Sequence, residues 1–299
     1  HVLFDNLAKF LLKQDLQHDA ELTYQAYIDL AKDNIWSARY SLALLELYQR
    51  QGKFASMHNL KNDYIAQYGL NRHLWAQAPI EQQQELLPHL LSFSDEHSRR
   101  VYANAQQQLA GTNRINAFKD AANALDTYLQ LAKLPQATQL LTKDILTDEY
   151  LYADANFEAQ QFRQALTSYK AIAYGEPSAE KLPEQQSEQQ ADKKPELTAS
   201  NQEQLTPEHA RLKKQSAYAT TVAIRQILQP LQNKADIENP QRQLILDERL
   251  ALDKQFIAHY PTDKRALELA THASQYSFEM KNYQDLSQFT EFILVAHGV

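Results

Sequence analysis

The sequence predicts an all-α protein built from stacked pairs of helices, with no sheet. Three observations carry that expectation. Only five glycines and ten prolines occur in 299 residues, too few for the turns and phosphate loops of β-sandwiches, Rossmann folds and P-loop enzymes. Strong helix formers, chiefly Ala, Leu, Gln, Glu and Lys, dominate the composition. Apolar residues also recur at helical spacing almost from end to end.

The elements follow in order. Leu3, Leu7, Phe10 and Leu11 mark a first helix, and Ala20, Tyr24, Tyr27 and Ile28 a second. Ala38, Leu42, Leu45 and Tyr48 form the next stripe, which Gly52 ends. Phe54, Met57, Leu60 and Tyr64 lead to a stop at Gly69. Pro79 precedes a helix with Leu86, Leu87, Leu90 and Leu91. Ser94 then reads as the N-cap of a new helix, with Asp95 and Glu96 in its first turn. Gly111 and Thr112 break that helix, and Phe118, Ala121, Leu125 and Tyr128 resume the stripe. Pro135 interrupts it, and a long helical stretch is expected from there towards Gln160. Phe162 to Tyr174 is one more helix.

From Gly175 to Pro207 there is no aromatic residue, Val or Ile. Such a segment cannot bury enough apolar surface to offset its ordering entropy, and residues 175–207 read as a mobile insert. The chain thus divides into helices over 1–174, the insert, and helices over 208–299. Thr206-Pro207-Glu208 looks like an N-cap, a proline at the first helical position and a first-turn acid. The helix it starts ends near Leu228, before Pro230. Another spans Gln241 to Tyr260, and a last pair covers Asp263 to Met280 and Tyr283 to Ala296.

One apolar pattern repeats at steps of three, four and three. It reads Gln17, Ala20, Tyr24, Tyr27; Phe54, Met57, Lys61, Tyr64; Phe118, Ala121, Leu125, Tyr128; Phe162, Ala165, Tyr169, Ile172; and Tyr283, Leu286, Thr290, Ile293. Several copies follow another helix carrying a Leu/Ala pair: Leu7, Ala8 and Leu11; Leu44, Leu45 and Tyr48; Tyr152 and Ala153.

This grouping resembles the tetratricopeptide repeat, a helix–turn–helix unit of about 34 residues. The best match is Leu146 to Pro177, where Ala153, Phe162, Ala165, Tyr169, Ile172 and Pro177 fall on preferred positions and Gln160 stands where the family often has Gly. The second is Ala38 to Tyr68, with Leu44, Tyr48, Gly52 and Phe54 in place. The resemblance implies a right-handed α-α superhelix of stacked pairs, in which the first helix of each pair lines a concave groove that binds peptide. The groove positions fall on Arg39, Leu42, Glu46, Gln49 and Arg50; on Tyr150, Asp154, Phe157 and Glu158; and on Thr271, Gln275, Phe278 and Glu279. Some members clamp C-terminal carboxylates with Lys and Asn. Here those positions hold Asp5 and Lys9, then Leu42 and Glu46, so tail capture of that kind is not implied. Lys61 to Gly69, Tyr169 to Tyr174 and Phe256 to Asp263 are similar to segments of proteobacterial envelope proteins of this family, which implies a periplasmic or envelope-associated location.

Other chemistries find little footing. The net charge of −7 argues against nucleic acid as a partner. A mean hydropathy of −0.58, with no apolar run near the ~20 residues a span requires, argues against a transmembrane segment. The chain lacks cysteine, which removes disulfides, Cys-ligated metals and thiol nucleophiles. It opens on His1 rather than Met, so a processed or partial chain is expected. Its ten histidines form no HExxH and no paired Glu-x-x-His units, so each reads as a surface residue and no metal or cofactor is expected. No G-x-S-x-G elbow is present. Trp36 and Trp75 read as packing residues. Arg99-Arg100 and Lys213-Lys214 read as solvated helix faces, as do Gln82–Gln84 and Gln106–Gln108.

The expected function is therefore a non-enzymatic scaffold that binds a peptide or protein segment. The alternative is the helical accessory portion of a larger enzyme or envelope complex.

Overall fold

The computed structural model describes residues 1–175, 206–231 and 240–296. Thirteen α-helices and two 3-10 turns are present, with no strand, among the described residues. The chain divides into two compact units, His1–Ile145 and Leu146–Val299. Apart from Gly175, Thr206 and Pro207, the insert read at 175–207 lies outside the described residues.

In the first unit, α1 (Val2–Lys13) pairs with α2 (Gln17–Leu30), and α3 (Ile35–Arg50) with α4 (Phe54–Tyr68). A short α5 (His73–Gln77) leads to α6 (Ile80–Gln106), which pairs with α7 (Thr112–Ala132), and a 3-10 turn at Pro135–Ala137 follows. Each of α1 to α4 packs on the next, and α4 lies against α6. The core of the first hairpins is rich in tyrosine: Tyr24, Tyr27 and Tyr40 are buried with Ala8 and Leu44. The Tyr27 and Tyr40 rings meet edge to face at 4.9 Å, the arrangement that aromatic quadrupoles favour. The Tyr40 hydroxyl finds its partner by donating to the His1 carbonyl at 2.8 Å.

The first helix forms as read, with only part of its apolar face turned inward, and two local expectations are corrected. Phe4, Ala8 and Leu12 turn inward on α1, whereas Leu3, Leu7 and Phe10 stay exposed, Leu3 at 83%, because α2 covers only one flank of α1. Ser94 caps nothing: it is 1% exposed and sits inside an unbroken α6, which also absorbs Pro88. The acids after it bond sideways instead. Asp95 accepts from Arg99 and from Lys143, each at 2.8 Å, and Glu96 accepts from Lys61. The pair with Arg99 stays within α6, and those with Lys143 and Lys61 reach other elements; together they outweigh the local capping signal. Finally, the helix leading to Gln160 begins only at Leu146. The residues before it are held as turn, with Lys143 anchored on Asp95 and its ammonium 5.5 Å from the Tyr128 ring centre.

In the second unit, α8 (Leu146–Glu158), α9 (Phe162–Tyr174), α10 (Pro207–Leu228), α11 (Pro240–His259), α12 (Lys264–Glu279) and α13 (Tyr283–Ala296) each pack on the next. A 3-10 turn at Gln229–Leu231 follows α10. Three apolar layers succeed one another. Ala153, Ala165, Tyr169 and Ile172 join α8 to α9. Leu166, Ile224, Leu228, Ile245 and Leu246 join α9, α10 and α11. Phe256, Leu269, Ala273 and Phe289 close the layer that runs to α13. The Thr206 cap read from sequence is formed, and Asp263 caps α12 as well. Thr206 Oγ1 accepts from His209 N at 3.2 Å, and Asp263 Oδ1 accepts from Arg265 N at 3.1 Å. The Arg265 guanidinium forks onto the same carboxylate at 2.8 and 2.9 Å and holds its pKa well below the usual carboxylate range.

One turn recurs four times, twice in each unit. Asp15, Gly52, Gln160 and Lys281 adopt φ of 59°, 68°, 60° and 56°. In every case the next residue donates its N–H to the carbonyl five positions earlier: Leu16 to Leu11, Lys53 to Tyr48, Gln161 to Asn156 and Asn282 to Ser277, all at 2.8–2.9 Å. This is a helix-ending left-handed turn, and in each case the following helix starts two residues after the left-handed residue. Those starts are Gln17, Phe54, Phe162 and Tyr283, the first members of four of the five repeated patterns. The fifth, at Phe118, lies within α7, six residues past its start at Thr112. Side chains other than glycine meet a steric cost of ~1–2 kcal/mol in this region, partly offset by glycine's greater unfolded-state entropy. Gln160→Gly and Lys281→Gly are each expected to stabilise their unit by about 0.5–1 kcal/mol, and Asp15→Gly by less, since Asp visits this region more readily. Denaturant midpoints check this; losses at both Gln160 and Lys281 would show that these turns are not strained.

Candidate functional site

The positions singled out on α3 do not converge on a cavity. Arg39 is engaged within the fold: its Nε and Nη2 donate to Glu85 at 2.7 and 2.8 Å, and its guanidinium lies 4.4 Å over the Trp36 ring. Arg39 in turn holds the Glu85 carboxyl below its ordinary pKa. Leu42 is half-buried against the core. Glu46 and Arg50 pair with each other at 3.6 Å on an exposed face, where Gln49 is also exposed. Trp36 packs as expected, stacked on His1 at 4.0 Å, and Trp75 is half-buried.

On α8, Tyr150 and Phe157 are half-buried against the core, with ring centres 5.9 Å from Tyr169 and 5.3 Å from Phe162. Burial raises the Tyr150 pKa, and the charge of Asp154 adds to the effect. Asp154 and Glu158 are partly exposed on the same helix. On α12, Thr271 and Phe278 are exposed. Gln275 and Glu279 do come together, on the wall of a cavity of about 470 Å3 that Arg225, Arg242 and Arg249 also line.

The first unit carries a different concave site. α4 and α7 both pack against α6, and a groove between them opens into a cavity of about 280 Å3. Ser94 and His97, one turn apart on α6, form its floor. Asn62 and Ile65 line it from α4. Asp120, Asn123 and Ala124 line it from α7, at spacings that place them on one helix face. The Ser94 hydroxyl is buried and has no hydrogen-bond partner. His97 is half-buried rather than on the surface, and burial lowers its pKa, with the positive charge of Arg100 lowering it further. The imidazole on the floor is thus neutral at physiological pH. The Arg100 Nη2 lies 3.5 Å from both His97 Nδ1 and Asn62 Oδ1.

Ser94, His97 and Asp120 together suggest nucleophilic catalysis, but the geometry does not assemble it. A triad needs the serine bonded to the imidazole and a carboxylate orienting the ring from its other nitrogen. Here Ser94 makes no such bond, and it is Arg100 that stands beside Nδ1.

No protein-family model matches the chain, and no curated protein matches it either. Function therefore rests on the sites themselves. No group of three or more His, Asp or Glu side chains that could hold a metal occurs among the described residues. Nor is any helix among them long and apolar enough to cross a membrane.

Sequence reasoning missed the groove of the first unit because its members come from three helices and are mostly small or neutral. Two signals were available: the paired Asn62 and Ile65, and the Asp120, Asn123, Ala124 run, each holding polar groups beside small apolar ones on one helix face.

Proposed function

We propose that this chain is a non-enzymatic interaction module that binds an extended protein segment in the groove formed by α4, α6 and α7. The observation that carries the reading is the buried Ser94 hydroxyl without a partner, in a cavity that Asn62 and Asn123 also line. Burying a polar group without a hydrogen bond costs about 1–3 kcal/mol, a cost that a bound segment removes. The Asn123 carboxamide carries a donor and an acceptor, the complement of a peptide unit, and Asn62, whose Oδ1 already faces Arg100, has its N–H donors to offer. Ile65 and Ala124 leave apolar room for a small side chain. Main-chain recognition by amides with a pocket for one side chain is a recurrent way to hold an extended peptide.

The recurrent helix–turn–helix geometry is compatible with the likeness to tetratricopeptide repeats on which the scaffold reading first rested, and a superhelical arrangement and an envelope location remain part of the proposal through that likeness alone. The test is to pan a random peptide library against the protein and against Ala124→Trp, which fills the groove. Selected peptides are expected to lose about tenfold or more in affinity for the variant, while its circular dichroism stays that of the parent. Peptides that bind both proteins equally would refute the groove.

A further inference from the structure

The cavity of the second unit has a different chemistry. Arg242 and Arg249 lie seven residues apart on α11 and so share one helix face. Arg225 reaches the same space from α10, and Gln275, Tyr276 and Glu279 complete it from α12. Arg249 is nearly enclosed, its side chain 7% exposed. Its guanidinium carbon lies 4.3 Å over the Tyr276 ring centre, a contact that occupies one face of the group and leaves its N–H groups to find acceptors.

Among the described residues those acceptors are missing: the Nε of Arg249, the Nε of Arg242, and the Nε and Nη2 of Arg225 are buried nitrogens with no hydrogen-bond partner there. Asp253, fully buried one turn from Arg249, is the nearest carboxylate, but its Oδ2 stands 3.7 Å from Arg249 Nε, beyond hydrogen-bond distance. Burial also pushes the Asp253 carboxyl up to about 7, so near neutral pH it offsets only part of one positive charge. Glu279 stands exposed at the rim, where water screens it. His272, the remaining titratable group of the wall, lies 4.0 Å from Glu268.

We propose that the second unit binds a phosphate monoester dianion in the cavity framed by Arg225, Arg242 and Arg249. Guanidinium forks match the oxygens of phosphate and carboxylate in paired, charge-assisted hydrogen bonds. Charge decides between the two: three guanidinium groups against Glu279 and a partly ionised Asp253 leave an excess of more than one, which a phosphate dianion, with its charge gathered on one phosphoryl group, neutralises; a single carboxylate carries too little charge, and a dicarboxylate spreads its charge over two separate ends. Size points to an ester, since about 470 Å3 exceeds what a bare phosphate fills and lies within the ~300–1,000 Å3 of small-molecule sites. The Gln275 amide and Glu279 carboxylate at the wall suit the hydroxyl groups of the organic part.

Isothermal titration with glycerol 3-phosphate, inorganic phosphate and succinate, at matched ionic strength, tests the site. Saturable binding of glycerol 3-phosphate is expected, weaker binding of inorganic phosphate, and succinate weakest. Arg225→Gln and Arg242→Gln should each weaken the phosphate ligands by about tenfold, while Arg50→Gln in the first unit leaves them unchanged. Equal binding of the two phosphates would keep the oxyanion site and name free phosphate as its ligand. The proposal falls if no phosphate binds saturably, if succinate binds as tightly, or if neither arginine substitution matters. Arg242 buries one unpartnered nitrogen where Arg225 buries two, so Arg242→Gln provides the reading should Arg225→Gln fail to fold. The peptide groove lies in the other unit, so Ala124→Trp should leave phosphate binding intact, and either site can fail alone.

Discussion

Replacing Gly52 by proline is expected to destabilise the first unit by about 3 kcal/mol or more. Three effects add. Gly52 sits at φ 68°, and the pyrrolidine ring holds φ near −65°. Its N–H donates to the Gln49 carbonyl at 3.2 Å, a bond proline cannot make. Gln51 before it is in the right-handed helical region, with φ −84° and ψ −5°, which a following proline disfavours. Gly52→Ala separates backbone from bulk, because a Cβ there would meet nothing within 4 Å. Alanine should therefore cost only about 1 kcal/mol, the penalty of the left-handed conformation. Urea unfolding measures both. A proline variant within 0.5 kcal/mol of the parent would mean that this turn does not set the angle between α3 and α4.

Arg249→Met should cost the second unit about 3–5 kcal/mol at pH 8, the usual penalty for leaving one member of a buried ion pair alone. The loss should shrink towards pH 6, and the sign follows from Asp253. Its carboxyl titrates near 7 in the fold against about 3.9 in the unfolded chain. A raised carboxyl pKa means that the native state binds the proton more tightly. The stability associated with it is full below pH 4, falls as pH rises towards 7, and is level above that. Arg249 limits the fall by favouring the ionised form. Without it, the carboxyl stays protonated to higher pH and the loss continues into the alkaline range. Asp253→Asn in the same background removes the titrating group, so the double variant should recover most of the stability at pH 8 and lose the pH slope. Denaturant melts at pH 6 and 8 decide; an equal loss at both would show that Asp253 does not titrate in this range.

The fold was legible where the signals are local. Phe162–Tyr174 was bounded to the residue because an apolar stripe ran between a turn and a glycine, and Thr206-Pro207 announced α10 through its cap and fixed φ. Ser94 misled for the same reason: its cap signal is local, but burial in the groove and lateral ion pairs from Asp95 and Glu96 belong to the tertiary structure. The site residues show the contrast more sharply. Gln275 and Glu279 fell on family groove positions and do line a cavity. The arginines that give that cavity its charge come from a neighbouring pair of helices, and only the seven-residue step from Arg242 to Arg249 hinted at them. Arg39 looked available in the sequence, but no reading of α3 alone could reveal its partner at Glu85.

The four left-handed turns bear on how the protein reaches its native state. Each joins two helices whose contacts are close in sequence, so closing a hairpin demands little loop entropy before apolar burial begins. Helical hairpins of this sort form early and open singly, and their opening free energies are set by their own neighbours rather than by the whole chain. Native-state hydrogen exchange should then resolve the pairs as separate steps, with α1, covered on one flank only, exchanging ahead of the helices buried on both sides.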